Sequence, residues 1–198
     1  MSDKNLPVSR KSSNAAVSLK RVDKLMKLSN KLVLEGKRAR ELAVDESWMT
    51  RLWAWADEND IDEYTLPRQR EELLVLQGLH LWKNFLTTLP PEIGQLSQLQ
   101  DLKLWGNFLT TLPPEIGQLS QLQELHLWKN FLTTLPPEIG QLSQLKWLNL
   151  YSNNLTTLPP EIGQLSQLKW LIINDDKRHL LPTVLLEKES LTIIDSFI

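Results

Sequence analysis

The segment LTTLPPEIGQLSQL occurs four times without a change, beginning at Leu86, Leu109, Leu132 and Leu155, each copy 23 residues after the last. A chain with such a period builds a stack of like units rather than one irregular core. The repetition also separates positions that hold the units together from positions free to differ. Any specific function is expected at the second kind.

Set in register, units open at Leu76, Leu99, Leu122, Leu145 and Leu168 as L-x-x-L-x-L-x-x-N-x-L. A half-unit ending in Leu66-Pro67 precedes them. The fifth unit is worn: Asp176 stands where the others have Asn, yet Leu181-Pro182 returns on schedule, and Leu191 and Ile194 suggest a last strand. Within the Leu99 unit, Leu102 and Leu104 alternate with Asp101, Lys103 and Trp105. Strand period puts the leucines inside and the others outside. Asn107 can donate and accept, so it can satisfy backbone groups left unpaired at the bend. Asn84, Asn130 and Asn153 are expected to do the same, as a ladder. Pro113-Pro114 blocks a continuing strand and favours an extended or tight helical turn. Gly117 is read as freedom for the backbone to turn.

These units resemble the leucine-rich repeat family, in the short form with an LPxxIGxL second half that bacteria often carry. The resemblance covers about 66–198. It implies an α/β fold, a leucine-rich repeat solenoid: a curved parallel sheet on the concave face, short turns or 3-10 segments on the convex face, and an N-terminal helical cap. It does not imply one function, because the family recognises many unrelated partners.

The expected organisation is a disordered basic tail at 1–16, a helical region and cap at 17–65, repeats at 66–176 and a C-terminal cap at 177–198. Val22, Leu25, Met26, Leu32 and Val33 fall near helical spacing among lysines. In WMTRLWAWADE, Trp48, Leu52 and Trp55 share one face, which Met49, Trp53 and Ala56 widen. Asp45-Glu46-Ser47 offers its N-cap, and the aromatic face is expected over the first strand. Trp48–Pro67 also resembles the cap that precedes such repeats in some bacterial proteins.

The outward columns carry the variation. One reads Trp82, Trp105, Trp128, Tyr151, Asn174; a second His80, Lys103, His126, Asn149, Ile172; a third Gly78, Asp101, Glu124, Trp147, Trp170; a fourth Lys83, Gly106, Lys129, Ser152, Asp175. Phe85, Phe108 and Phe131 lie beside the asparagines. Exposed aromatic clusters with charges around them mark interaction sites. Stacked rings at equivalent positions also brace neighbouring strands. Both readings stand at this point. Trp147 and Trp170 interrupt a column of Gly and acids, which sets them apart from a repeated brace.

Composition excludes several classes. The absence of cysteine removes a disulfide framework, a thiolate zinc site and a cysteine nucleophile. Some bacterial effectors join such repeats to a cysteine-dependent ubiquitin ligase, and here that residue is missing. No apolar run approaches the roughly 18 residues of a membrane span. The first twenty residues lack the apolar core of a secretory leader, so the expected compartment is the cytoplasm. Export without a hydrophobic leader would leave no mark of this kind. There is no phosphate loop, GxSxG elbow or HExxH, and an enzyme is not expected. His80 and His126 sit two units apart, about 10 Å, too far for one zinc. No metal or cofactor is expected. Residues 1–40 hold eleven Lys/Arg against three Asp/Glu, and residues 41–198 eleven against twenty-one. The two parts can attract each other, or the basic arm can serve an acidic partner.

The resulting expectation is a protein-binding module that receives a helix or loop on its concave aromatic face. The alternatives are a glycan or small-ligand binder using the Trp row, and a homo-oligomeric assembly protein. Nucleic acid is not an expected partner.

Overall fold

The computed structural model describes residues 45–195. The basic tail and the amphipathic pattern at 17–40 lie outside them. Six strands, β1 (Gly78–His80), β2 (Asp101–Lys103), β3 (Glu124–His126), β4 (Trp147–Asn149), β5 (Trp170–Ile172) and β6 (Thr192–Ile194), form one parallel sheet in chain order. From β1 to β5 each residue pairs with the residue 23 positions later, as Leu79 with Leu102. The central residues Leu79, Leu102, Leu125, Leu148 and Leu171 are fully buried. So are Leu81, Leu104, Leu127 and Leu150, two positions on, as strand alternation requires. One unit alone could not cover this row of leucines, and stacking does.

Each PEIGQ sequence forms a five-residue 3-10 helix on the opposite side: Pro91–Gln95, Pro114–Gln118, Pro137–Gln141 and Pro160–Gln164. Proline opens each because its fixed φ suits the first turn and its missing N–H is not needed there. Ile93, Ile116, Ile139 and Ile162 point into the core. The glycine that follows has a different role from the one its sequence suggests. Gly106 alone among the described glycines has a positive φ. At Gly117 an added Cβ would lie 2.5 Å from the Glu138 carbonyl oxygen, and at Gly94 2.4 Å from that of Glu115. Glycine is therefore demanded by the close approach of consecutive convex segments, not by a turn.

The Ser47–Glu58 helix buries Trp48, Met49, Leu52 and Ala56. Its contact with the repeats is made at the Pro91–Gln95 segment, where Arg51 Nε donates to Glu92. Trp48 and Leu52 of its inner face join the core cluster that also holds Leu79 of the first strand. Trp53 Nε1 donates to the Pro67 carbonyl at 2.9 Å, tying helix to half-unit. No side chain caps the helix: the Glu46 carboxylate receives Arg70 Nε at 2.8 Å. The half-unit lacks the second proline and the glycine of PEIGQ, and its Arg70–Leu74 segment is α-helical. At the other end, the Asp175–Leu180 3-10 helix and the Thr183–Leu186 helix lead into β6. Val184 fills the space beside Gly163 that a next convex segment would take.

The asparagine ladder joins successive units. Asn107 Nδ2 donates to the carbonyls of Leu81 (2.7 Å) and Leu104 (2.8 Å), while its Oδ1 accepts the N–H groups of Asn84 and Leu86. Asn130 and Asn153 donate in the same way, and the Oδ1 of each accepts one N–H, from Leu109 and Leu132. Asn84 does not: it contributes only its backbone N–H. It is first in line, with no earlier unit to offer the carbonyl and N–H its side chain would need. The residue before this bend lies in the left-handed region at Lys83 (φ 56), Gly106 (φ 70), Lys129 (φ 54) and Ser152 (φ 57). The fourth column, read from sequence as an outward surface, is thus also a backbone constraint that three of these four residues meet under strain.

Candidate protein-binding face

The aromatic residues gather in three groups. Trp82 stacks on Trp105 with ring centroids 5.1 Å apart and planes 3° apart, and Trp105 on Trp128 at 4.7 Å and 14°. This follows from register: equal positions in consecutive units stand one strand spacing apart. Lys83 Nζ lies 5.2 Å from the Trp105 ring centroid and Lys129 Nζ 5.0 Å from that of Trp128. The stack braces the sheet, and at its end Trp82 stays 46% exposed. Tyr151 continues the column half-buried.

Beyond the bend runs a second row. Phe85, Phe108 and Phe131 have centroids 5.8 and 5.9 Å apart, tilted by 40° and 36°. All three are exposed, Phe85 at 73%. Phe108 and Phe131, with Lys129, Asn154 and Asn174, line an open groove of about 480 Å³. Sequence reading had Phe85, Phe108 and Phe131 only as an extension of the patch. The groove depends on how far the bend projects, which periodicity does not reveal.

The third group sits over the C-terminal strands. Trp147 and Trp170 pair at 5.6 Å, and His126 lies 6.1 Å from Trp147. Trp170 is exposed and Trp147 half-buried. The Trp147 Nε1 atom is buried without a hydrogen-bond partner. Two neighbours in the second column differ from expectation. Asn149 and Ile172 are each 1% exposed. Asn149 Oδ1 accepts from Tyr151 N at 3.1 Å, so Asn149 presents nothing to a partner. The column is thus closed at these two positions, where it had been read as open.

The polar residues of the face pair among themselves. Asp101 Oδ2 lies 3.1 Å from His80 Nε2 and 2.9 Å from Lys103 Nζ, and Glu124 Oε2 lies 3.2 Å from His126 Nε2. Asp101, Glu124 and His126 each offer a ligand atom within 4.8 Å of the others. The Lys103 ammonium already pairs with Asp101 at that spot, so the trio reads as part of a polar network among side chains of the face. His80 and His126 do not meet.

Parallel strands, convex 3-10 segments and an inter-unit asparagine ladder define a leucine-rich repeat solenoid, a class of protein that works by surface recognition. Comparison agrees with the geometry. Residues 120–177 match the family model described as leucine rich repeat. A solved Leptospira interrogans leucine-rich repeat protein is 37% identical, with a TM-score of 0.53 over 64% of this chain and 40% of that one. The chain thus spans about two fifths of that relative's length. No curated protein matches. The repeats thus have the sequence pattern and the fold of leucine-rich repeat proteins. No described helix is long and apolar enough to cross a membrane.

Proposed function

We propose that this array is a non-enzymatic protein-binding module whose aromatic face receives a helix or loop of a partner. The observation that carries the reading is the Trp147–Trp170 pair, which lies on the sheet face with Trp170 exposed and His126 of the preceding unit against Trp147. Exposed tryptophan beside paired charges has the composition of an interface hot spot. Leucine-rich repeat proteins are in general interaction modules, which supports the coarse function. A bacterial source and a reducing, cytoplasmic site of action belong to the same proposal, on the repeat type and the absence of cysteine.

The glycan alternative is weaker. A sugar stacks on a ring face, and both faces of Trp105 are taken by Trp82 and Trp128. Homo-oligomeric assembly remains the other reading and is separated by mass measured against concentration.

The test is affinity capture from a bacterial lysate with wild type and with the Trp147→Ala/Trp170→Ala variant. A partner lost by the folded variant supports the proposal. Equal capture by both, or unfolding of the variant, sinks the role given to the pair.

A further inference from the structure

The bend edge carries charges that the rest of the array does not answer. Lys103, Arg51, Arg68, Arg70 and Lys177 each pair with a carboxylate. Among the described residues Lys83 and Lys129 do not, and nor do Lys146, Lys169, Arg178 and Lys188; the Lys83 and Lys129 ammonium groups are set apart by lying over indole rings. Both sit two positions before an exposed phenylalanine, in the recurring HLWKNF sequence. The edge is thus an apolar row, Phe85–Phe108–Phe131, flanked by two cations without counter-charges.

The spacing suits a definite shape. The phenylalanine rings repeat at 5.8 and 5.9 Å. Side chains four residues apart on an α-helix lie about 6 Å apart along its axis. The two lysines belong to units two apart, about 10 Å by strand spacing, close to the roughly 10–12 Å between helix positions seven or eight apart. A helix laid along the array could therefore meet each ring with one apolar side chain and each lysine with one carboxylate. Phe85 is held at φ 59, a conformation costly for an aromatic residue, and its ring stays exposed in line with the others.

We infer that the Phe85–Phe108–Phe131 edge is a docking site for an acidic amphipathic helix of a partner protein, with Lys83 and Lys129 receiving its carboxylates. The inference rests on the protein-binding reading and adds a second surface, distinct from the Trp147–Trp170 pair, and the chemistry of its occupant.

The probe is a synthetic amphipathic peptide with leucines at i, i+4 and i+8 flanked by glutamates, titrated into the full chain by calorimetry. A counterpart with lysine for glutamate is the control. The acidic peptide is expected to bind wild type more tightly than the basic one, and to weaken with added salt. Lys83→Glu/Lys129→Glu should weaken it about tenfold or more and reverse the preference between peptides. Phe108→Ala/Phe131→Ala should weaken it without reversing the preference. Far-UV circular dichroism confirms that each variant is folded. No preference for the acidic peptide, or binding unchanged by the charge reversal, overturns the inference. Loss only in Trp147→Ala/Trp170→Ala also overturns it and leaves the protein-binding reading standing, as does lysate capture that persists while the peptide fails to bind.

Discussion

Asn130 Nδ2 donates to the Leu104 carbonyl of the preceding unit at 3.0 Å, and the same amide donates to Leu127 in its own unit at 2.9 Å. Its Oδ1 accepts the Leu109 N–H at 3.1 Å. One buried side chain thus satisfies three backbone groups across two units. Asn130→Ala should cost about 2–4 kcal/mol, because buried groups are left unpaired. Asn84→Ala should cost far less, since that side chain has no such role. Urea unfolding of the two variants checks the contrast, and partner or peptide binding should survive in both wherever the fold does.

Gly117 meets the next unit at backbone distance. In Gly117→Ala the new methyl would press on the Glu138 carbonyl oxygen, which cannot swing aside as a side-chain end would. Overpacking of this kind costs about 1–3 kcal/mol. At Gly78 the nearest atom to an added Cβ is His80 Nε2 at 3.6 Å, an ordinary contact. Gly78→Ala should be close to neutral. Equal melting temperatures for the two variants would refute the steric account of the PEIGQ glycine.

The architecture was readable because leucine period, Asn position and Pro-Pro recur at one spacing, and each has a single physical use. The strands, the convex 3-10 helices and the ladder at Asn107, Asn130 and Asn153 stand where that logic puts them. The errors arose where a residue's role depends on its neighbour in the stack. Gly117 looked like a turn, and the Glu138 carbonyl gives its reason. Asn84 looked like a ladder member, and a missing earlier unit removes it. Asn149 looked exposed, and it is buried with its Oδ1 taken by the Tyr151 N–H. The groove at Phe108 and Phe131 is also a property of stacked bends, invisible to a pattern read one unit at a time.

The left-handed residue before each bend offers a stability test of opposite sign. Ser152 holds φ 57 without being glycine. Ser152→Gly should raise stability by up to about 1 kcal/mol, since the strained conformation costs a side chain roughly 1–2 kcal/mol and glycine's freedom in the unfolded chain takes some of that back. Gly106→Ala should lower it, from both the φ of 70 and the Lys83 Cγ atom 3.1 Å from the new methyl. Thermal melts of the pair read the two directions. A stabilised Gly106→Ala would contradict the assigned backbone geometry.

The pairing of Arg51 with Glu92 gives the helical cap a dependence on pH. Burial pushes the Glu92 carboxyl up, but the hydrogen bond from Arg51, a backbone hydrogen bond at Glu92 and the Arg51 charge together outweigh it, and the net shift is downward from the ordinary 4.5. A carboxyl lowered in the folded state binds its proton more weakly there than in the unfolded chain. Its contribution is therefore present above pH 4.5 and is lost as pH falls through the lower folded value. Glu46, held down by its hydrogen bond from Arg70, acts in the same direction. Arg51 is more than half exposed, so solvent screening keeps the Glu92 share below about 1 kcal/mol. Glu92→Gln should melt slightly lower than wild type at neutral pH, and its melting temperature should fall less steeply on acidification. Parallel pH profiles for the two proteins would show that the Arg51 contact does not hold the cap to the first convex segment.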